Sequence, residues 1–156
     1  LEVLLHLHDH IRRELYLEIG VRKGLSLALA AGHAIAIDPD PHPDAASSNP
    51  RARHFRCTSD DFFFFQGDGA IGRPVELAFI DGMHLAEFVY RDFMNVERLM
   101  DPRGVIVVDD VLPNHPLQAA RERSSQVWTG DVWRFAELIA QKRPDLRQAY
   151  FKIGLE

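Results

Sequence analysis

Apolar bursts alternate with helical periodicity along the 156 residues. Leu4, Leu5, His8, Ile11 and Arg12 recur at helical spacing, so residues 4–13 predict an amphipathic helix. Leu15–Ile19 is a short apolar run ending at Gly20 and predicts a buried strand. Lys23–Ala31 predicts a small-residue helix stopped by Gly32. His33–Asp38 predicts a second strand ended by Pro39, and Arg53–Cys57 a third, with Cys57 as a buried strand residue. Pro74–Asp81 and Gly104–Asp110 are the clearest strands, rich in Val and Ile. His84–Met100 has helical length and period, as does Gly130–Arg143 with Pro144 just beyond it. Gln148–Leu155 predicts a last strand.

Strands that alternate with helices form βαβ units. The expected architecture is α/β: one domain over residues 1–156, a doubly wound, mostly parallel sheet of about six to seven strands with helices on both faces. Residues 39–50 carry four prolines in twelve positions. They predict a mobile loop over the end of the second strand, outside the core. The Phe62–Phe65 run predicts a helix or turn buried on several sides.

Composition narrows the function. The formal charge is −5 and lacks the basic stripe that a nucleic-acid binder uses to replace phosphate counterions. No apolar run reaches the roughly 20 residues of a membrane span. The first residues lack the basic start and apolar core of a signal peptide. One cysteine, Cys57, excludes an intramolecular disulfide and a multi-Cys zinc site. The expectation is a cytoplasmic protein without nucleic-acid or membrane partners.

In an open α/β sheet, ligands bind outside the carboxyl ends of the strands. The first strand runs into Glu18-x-Gly20-x-x-x-Gly24, where two glycines allow a tight turn and close backbone approach to a ligand. Leu25-Ser26 after Gly24 excludes a P-loop, and Arg22 excludes G-x-G-x-x-G. Asp38 ends the second strand, where an acidic residue accepts hydrogen bonds from ribose hydroxyls. After the third strand stand Thr58-Ser59-Asp60-Asp61. One of these contacts an adenine ring, or Ser59 or Asp60 caps the next helix. The fourth strand ends in Asp81-Gly82-Met83-His84 and the fifth in Asp109-Asp110.

Together, Glu18–Gly24, Asp38, residues 79–84 (FIDGMH) and residues 107–110 (VVDD) resemble class I S-adenosylmethionine-dependent methyltransferases. The nearest branch is the metal-dependent small-molecule O-methyltransferases, including macrocin-type sugar O-methyltransferases and cephalosporin hydroxylase-like relatives. The resemblance covers residues 15–155, and TGDVWRF (129–135) is similar to a segment of that branch without a role attached to it. It implies that Glu18, Gly20 and Gly24 shape the pocket for the cofactor's amino-acid end. It also implies Asp38 at the ribose and Asp60 or Asp61 near adenine. Asp81, Asp109 and Asp110 match metal-holding positions, with Mg²⁺ or another divalent cation implied. His84 matches a base or ligand, beside Asp81 in the catalytic set. Some metal-dependent members carry Asp-Asn where this chain has Asp109-Asp110.

Physical chemistry gives the same residues a task. Three carboxylates on neighbouring strand ends repel unless they point apart or share a hard cation. A cation there would lower the pKa of a bound hydroxyl, and His84 would take its proton. The plainer reading makes Asp109 and Asp110 solvated or capping carboxylates and His84 a helix cap. His6, His8 and His10 read as solvated helix positions, and His42 and His115 as loop residues that could overhang the site, either of them an alternative base to His84. Trp128 and Trp133 read as helix-packing residues. A nicotinamide-binding oxidoreductase and a non-catalytic cofactor-binding module are the rival functions. A homodimer is compatible with the sequence. Eight carboxylates (Glu18, Asp38, Asp40, Asp60, Asp61, Asp81, Asp109 and Asp110) fall at or just past the strand ends, so the acidic excess reads as one edge suited to a cationic sulfonium.

Overall fold

Three apolar runs with no polar face dictate the centre of the molecule. In a computed structural model describing residues 1–11 and 14–152, they are the inner strands of a parallel sheet. The chain divides into two compact units, Leu1–Gly82 with Arg91–Asp109, and Met83–Tyr90 with Asp110–Glu156.

The first unit holds the sheet. Its strands are β1 (Leu15–Ile19), β2 (His33–Ile37), β3 (Ala52–Phe55), β4 (Val75–Ile80) and β5 (Met100–Val108). Their order is β3-β2-β1-β4-β5, and every pairing is parallel. All five residues of β1 are buried, and β2 and β4 each have one residue that is not. Strands covered on both faces need such continuous apolar runs. The outer strands β3 and β5 are more polar and half-exposed. An edge also tolerates Pro102 within β5 and the register shift between Val75 and Leu77 opposite it.

Alternation assigns the faces. Tyr16, Ala34, Ala36, Leu77 and Phe79 share one buried cluster with Leu4, Val21, Leu27, Ala30 and Ala45. Leu15, Leu17, Ile19, Ile35, Ile37, Ala78 and Ile80, the alternate positions, are buried as well. Helix α1 (Glu2–His10) adds Leu4 and His8 to the interior. His8 is buried, edge-on to Tyr16 at 4.7 Å, which corrects its reading as a solvated position. His6 and His10 are exposed and stacked on each other. Arg12 and Arg13, at the end of the expected helix, lie outside the described residues.

Four further expectations change. The helix expected over Lys23–Ala31 contracts to one 3₁₀ turn, Leu27–Leu29. The side chain of Asn49 donates to the carbonyls of Ala30 and Leu27, and Arg51 donates to that of Ala31. These bonds take carbonyls that a longer helix would use, and a seven-residue stretch between two glycines is a marginal helix in any case. The proline-rich stretch supplies core after all. Its single helical turn α2 (Ala45–Ser48) buries Ala45, and Asn49 is buried beside it. Helix α3 (Ser59–Phe65) buries Phe62 and Phe63 but leaves Phe64 and Phe65 more than 70% exposed, so the phenylalanine run is two-faced. Cys57 lies two residues past β3 and is only half-buried. A short helix α4 (Gly67–Ile71) follows.

Helix α5 (Ala86–Glu97) matches expectation within three residues at each end. The second unit is mostly loop, with α6 (Trp133–Lys142) as its main helix. Five strands lie among the described residues, fewer than the six to seven expected. Residues 148–152 of the expected last strand are not extended into a sheet, and 153–155 lie outside the described residues. The segment instead turns back on α6. Gln148 donates to the carbonyls of Ile139 and Arg143, and the Tyr150 hydroxyl donates to Gln148.

Leu77 is fully buried at the centre of the sheet, whereas Phe64 is 81% exposed. Leu77→Ala should lower the unfolding free energy by about 3 kcal/mol. Phe64→Ala should change it by less than about 0.5 kcal/mol. Urea unfolding followed by circular dichroism measures both.

Candidate active site

The topology sets the place. From β1 the chain proceeds to β2 and β3 on one side, then crosses to β4 on the other. The loops after β1 and β4 therefore part in opposite directions, and the crevice between them is where doubly wound folds bind ligands.

Backbone bonds extend past the strands and align the site residues. Gly20 N–H donates to Ile37, Asp38 N–H to Phe55, Asp81 N–H to Ile19 and Asp109 N–H to Ile80. Gly20, Asp38, Asp81 and Asp109 thus form a row along the carboxyl edge of the sheet. Gly20 has φ +86°, and a Cβ there would overlap the Asp81 carbonyl oxygen and lie 2.8 Å from Gly82 N. No other residue type fits at this meeting of β1 and β4. Gly24 has φ +75°, and a Cβ there would collide with the Ser48 side chain. Arg22, between them, also has positive φ, and its N–H donates to Asp38 Oδ2 at 2.8 Å. Asp38 Oδ1 accepts from Asp40 N–H at 2.8 Å. Asp38 therefore ties the turn after β1 to the chain after β2, and each oxygen keeps further acceptor capacity.

Glu18 lies beneath this turn with no exposed surface. Its two oxygens accept from the Tyr16 hydroxyl at 2.9 Å and the Ser26 hydroxyl at 2.5 Å. After β3 the helix cap is Thr58, one residue before the expected Ser59 or Asp60. Its Oγ1 accepts from Asp61 N–H and donates to the Asp61 carboxylate. Asp60 forms a two-pronged ion pair with Arg91. Asp92 on α5 is a buried carboxyl hydrogen-bonded to Ser59. A position inside a helical pattern gave no sequence signal for it.

In the second unit, His84 Nδ1 and Asp110 Oδ2 are 2.5 Å apart. Trp128 stacks on the imidazole, with centroids at 5.3 Å and planes 23° apart. Asp110 has φ +62°, a region that Asp tolerates better than most residues. Trp128 therefore packs on a site residue, which its reading as a helix-packing residue did not anticipate. Trp133 donates its indole N–H to Ala119 O. His42 pairs with Asp44, and His115 accepts from Leu117 N–H, so the structure gives each a local loop partner.

A family model described as a methyltransferase domain matches residues 17–111. The chain belongs to that family. Among solved structures it is similar to the O-methyltransferase TomG from Streptomyces achromogenes, involved in tomaymycin synthesis and solved in complex with SAM. That match has a TM-score of 0.65 and 23% identity over 90% of this chain and 67% of the other, a likeness of fold. No curated protein matches the sequence.

The matched span of this methyltransferase domain runs from within β1 to just past β5 and contains every carboxylate in the row. Two buried carboxyls give it an unusual acid–base character. Burial raises Glu18 to about 7, against the lowering by the Ser26 and Tyr16 hydroxyls, and Asp38 adds to the rise. Burial likewise raises Asp92 to about 6, against the bond from Ser59. Between their ordinary and their raised values the folded chain keeps protons that the unfolded chain has released. Stability therefore falls as pH rises through this window and levels off only about one pH unit above the raised value of Glu18. Glu18→Gln should make that decline shallower. Urea unfolding at several pH values between about 5 and 8 measures it, and an unchanged slope would place the titration elsewhere.

Proposed function

We propose that residues 1–156 act as one S-adenosylmethionine-binding domain that methylates a hydroxyl group on a small molecule, with a divalent cation assisting. The observation that carries this reading is the turn after β1, where Gly20 meets the Asp81 carbonyl and Asp38 holds Arg22 N–H, in a chain of the methyltransferase family. TomG, whose fold this chain shares, is an O-methyltransferase solved with SAM, which supports both the cofactor and the hydroxyl acceptor.

The residues fit such a cofactor. Gly20 and Gly24 lack the Cβ atoms that would fill the turn, so the backbone can approach the cofactor's amino-acid end. Glu18 supports that turn from below through Ser26. Asp38 keeps acceptor capacity for ribose hydroxyls. Asp60 and Asp61, at the start of α3, are the residues assigned to the adenine side. When bound, the cofactor supplies an electrophilic methyl group on a sulfonium. His84 removes the proton from the acceptor hydroxyl. Asp110 at Nδ1 sets which ring nitrogen carries the proton and stabilises the imidazolium that forms.

Asp81, Asp109 and Asp110 would hold the cation. Carboxylate oxygens suit Mg²⁺ better than softer metals. A cation held there would lower the pKa of the acceptor hydroxyl. The acceptor is a small molecule, in a cytoplasmic setting and with a homodimer as the assembly. No helix among the described residues is long and apolar enough to cross a membrane.

Calorimetric titration with S-adenosylhomocysteine tests the reading. The chain should bind it, and Asp38→Ala should weaken binding by about tenfold, or ~1.4 kcal/mol. NAD⁺ should give no heat of binding. Absence of S-adenosylhomocysteine binding at saturating concentration, or preference for NAD⁺, overturns it. Titration with Mn²⁺ tests the metal separately, and Asp109→Ala should weaken that binding.

A further inference from the structure

Trp128 and the first residues of the 129–135 segment, which resembled a family motif without a role, lie against His84 and the residues just after it within the second unit. Three contacts come from four consecutive residues. Trp128 lies on the face of the imidazole. Gly130, at φ +59°, lies against the His84 backbone, where a Cβ would overlap the carbonyl oxygen and stand 2.7 Å from its carbon and 2.9 Å from the His84 Cβ. Asp131 is 4% exposed and accepts from Ala86 N–H at 2.9 Å, so it caps the first residue of α5, two positions after His84.

The segment is itself held. The Trp128 indole N–H donates to Ala120 O at 2.7 Å. Thr129 donates both its N–H and its hydroxyl to Gln118 O. Asp131 Oδ2 accepts from Arg121, which also pairs with Glu87 on α5. A side chain packed on one face by a ring and fixed at its backbone loses most of its rotamer freedom before any substrate arrives, and that loss is what a proton-transfer group needs for alignment.

We propose that Trp128 and Gly130 are positioning residues for His84. They hold its imidazole in the one orientation in which Asp110 meets Nδ1. Asp131 fixes the chain just after His84 by capping α5. This rests on the assignment of His84 to the acceptor's proton, but the cradle is a statement about the side chain alone.

The test is nuclear magnetic resonance of the histidine rings in the full chain at one fixed pH, without metal. In the wild type the stacked indole shifts the His84 ring protons upfield, and the ring nitrogens report a single tautomer. Trp128→Leu should move those protons downfield and average the nitrogen shifts, with the other histidines unmoved. Trp128→Phe should restore the tautomer, because an aromatic face is kept. Gly130→Ala should produce the same loss by displacing the backbone. Should Trp128→Leu not fold, the comparison of wild type with Trp128→Phe against His84→Gln, which assigns the signals, still decides. Wild-type His84 signals at ordinary shifts, or averaged between tautomers, overturn the proposal, as does a Trp128→Leu spectrum identical to wild type. S-adenosylhomocysteine binding is read on the same wild-type sample, so failure of the methyltransferase reading and failure of the cradle are seen separately.

Discussion

The first unit is organised around a contact that only a glycine permits. Gly20 follows β1 directly, and a Cβ on it would overlap the carbonyl oxygen of Asp81, the residue that follows β4. These are adjacent strands whose onward loops diverge, so their ends would ordinarily be separated by the side chains that follow. Removing one Cβ and adopting positive φ lets the two ends close without clash. The crevice above them then has backbone for its floor. From that point the other parts follow: Arg22 turns with positive φ, its N–H meets Asp38, and Ser48 fills the space that Gly24 leaves.

Two buried carboxyls stand behind this arrangement, and they are used alike. Glu18 holds Ser26 on the chain after β1. Asp92 holds Ser59 at the start of α3. Burial raises both well above the usual carboxylate range. A buried carboxyl is a costly way to stabilise a fold, because desolvation opposes ionisation. It is an effective way to fix a loop, because a satisfied buried hydrogen bond has few alternatives in an apolar interior. Both are spent on serines that begin the segments flanking the sheet's carboxyl edge.

The parts that could be read from the sequence are those set by near neighbours. Strands β1, β2 and β4 are buried on both faces, and their runs of Leu, Ile and Ala state this directly. The strand-end residues follow from the strands. What could not be read depends on partners distant in the chain. Asn49 cuts short the helix after Gly24 from nineteen residues away. Trp128 reaches His84 across forty-four positions, with nothing local to mark it. Asp92 sits inside an amphipathic helix pattern that expects its polar residues outside. The last strand failed because Gln148 and Tyr150 found partners on α6 and within the segment itself. Even the cap of α3 fell on Thr58, whose extended backbone aims its hydroxyl at Asp61 N–H.

The acidic edge has a different meaning in the folded chain than in the sequence. As a sequence feature, eight carboxylates near the strand ends suggested a field suited to a cation. Resolved into contacts, much of that charge is locally committed. Glu18 accepts two hydroxyls, and Asp38 accepts two backbone N–H groups. Asp40 pairs with Arg56, Asp60 with Arg91, Asp61 with Thr58, and Asp110 with His84. Charges compensated within a few ångströms produce little long-range potential, and at physiological salt what remains fades over about 8 Å. Selection of a positively charged cofactor would therefore rest less on steering by net charge than on where particular oxygens stand. In this chain those positions are set by a glycine contact, a positive-φ turn and two buried carboxyls. The geometry of the edge, rather than the chain's net charge of −5, is what the sequence specifies most tightly.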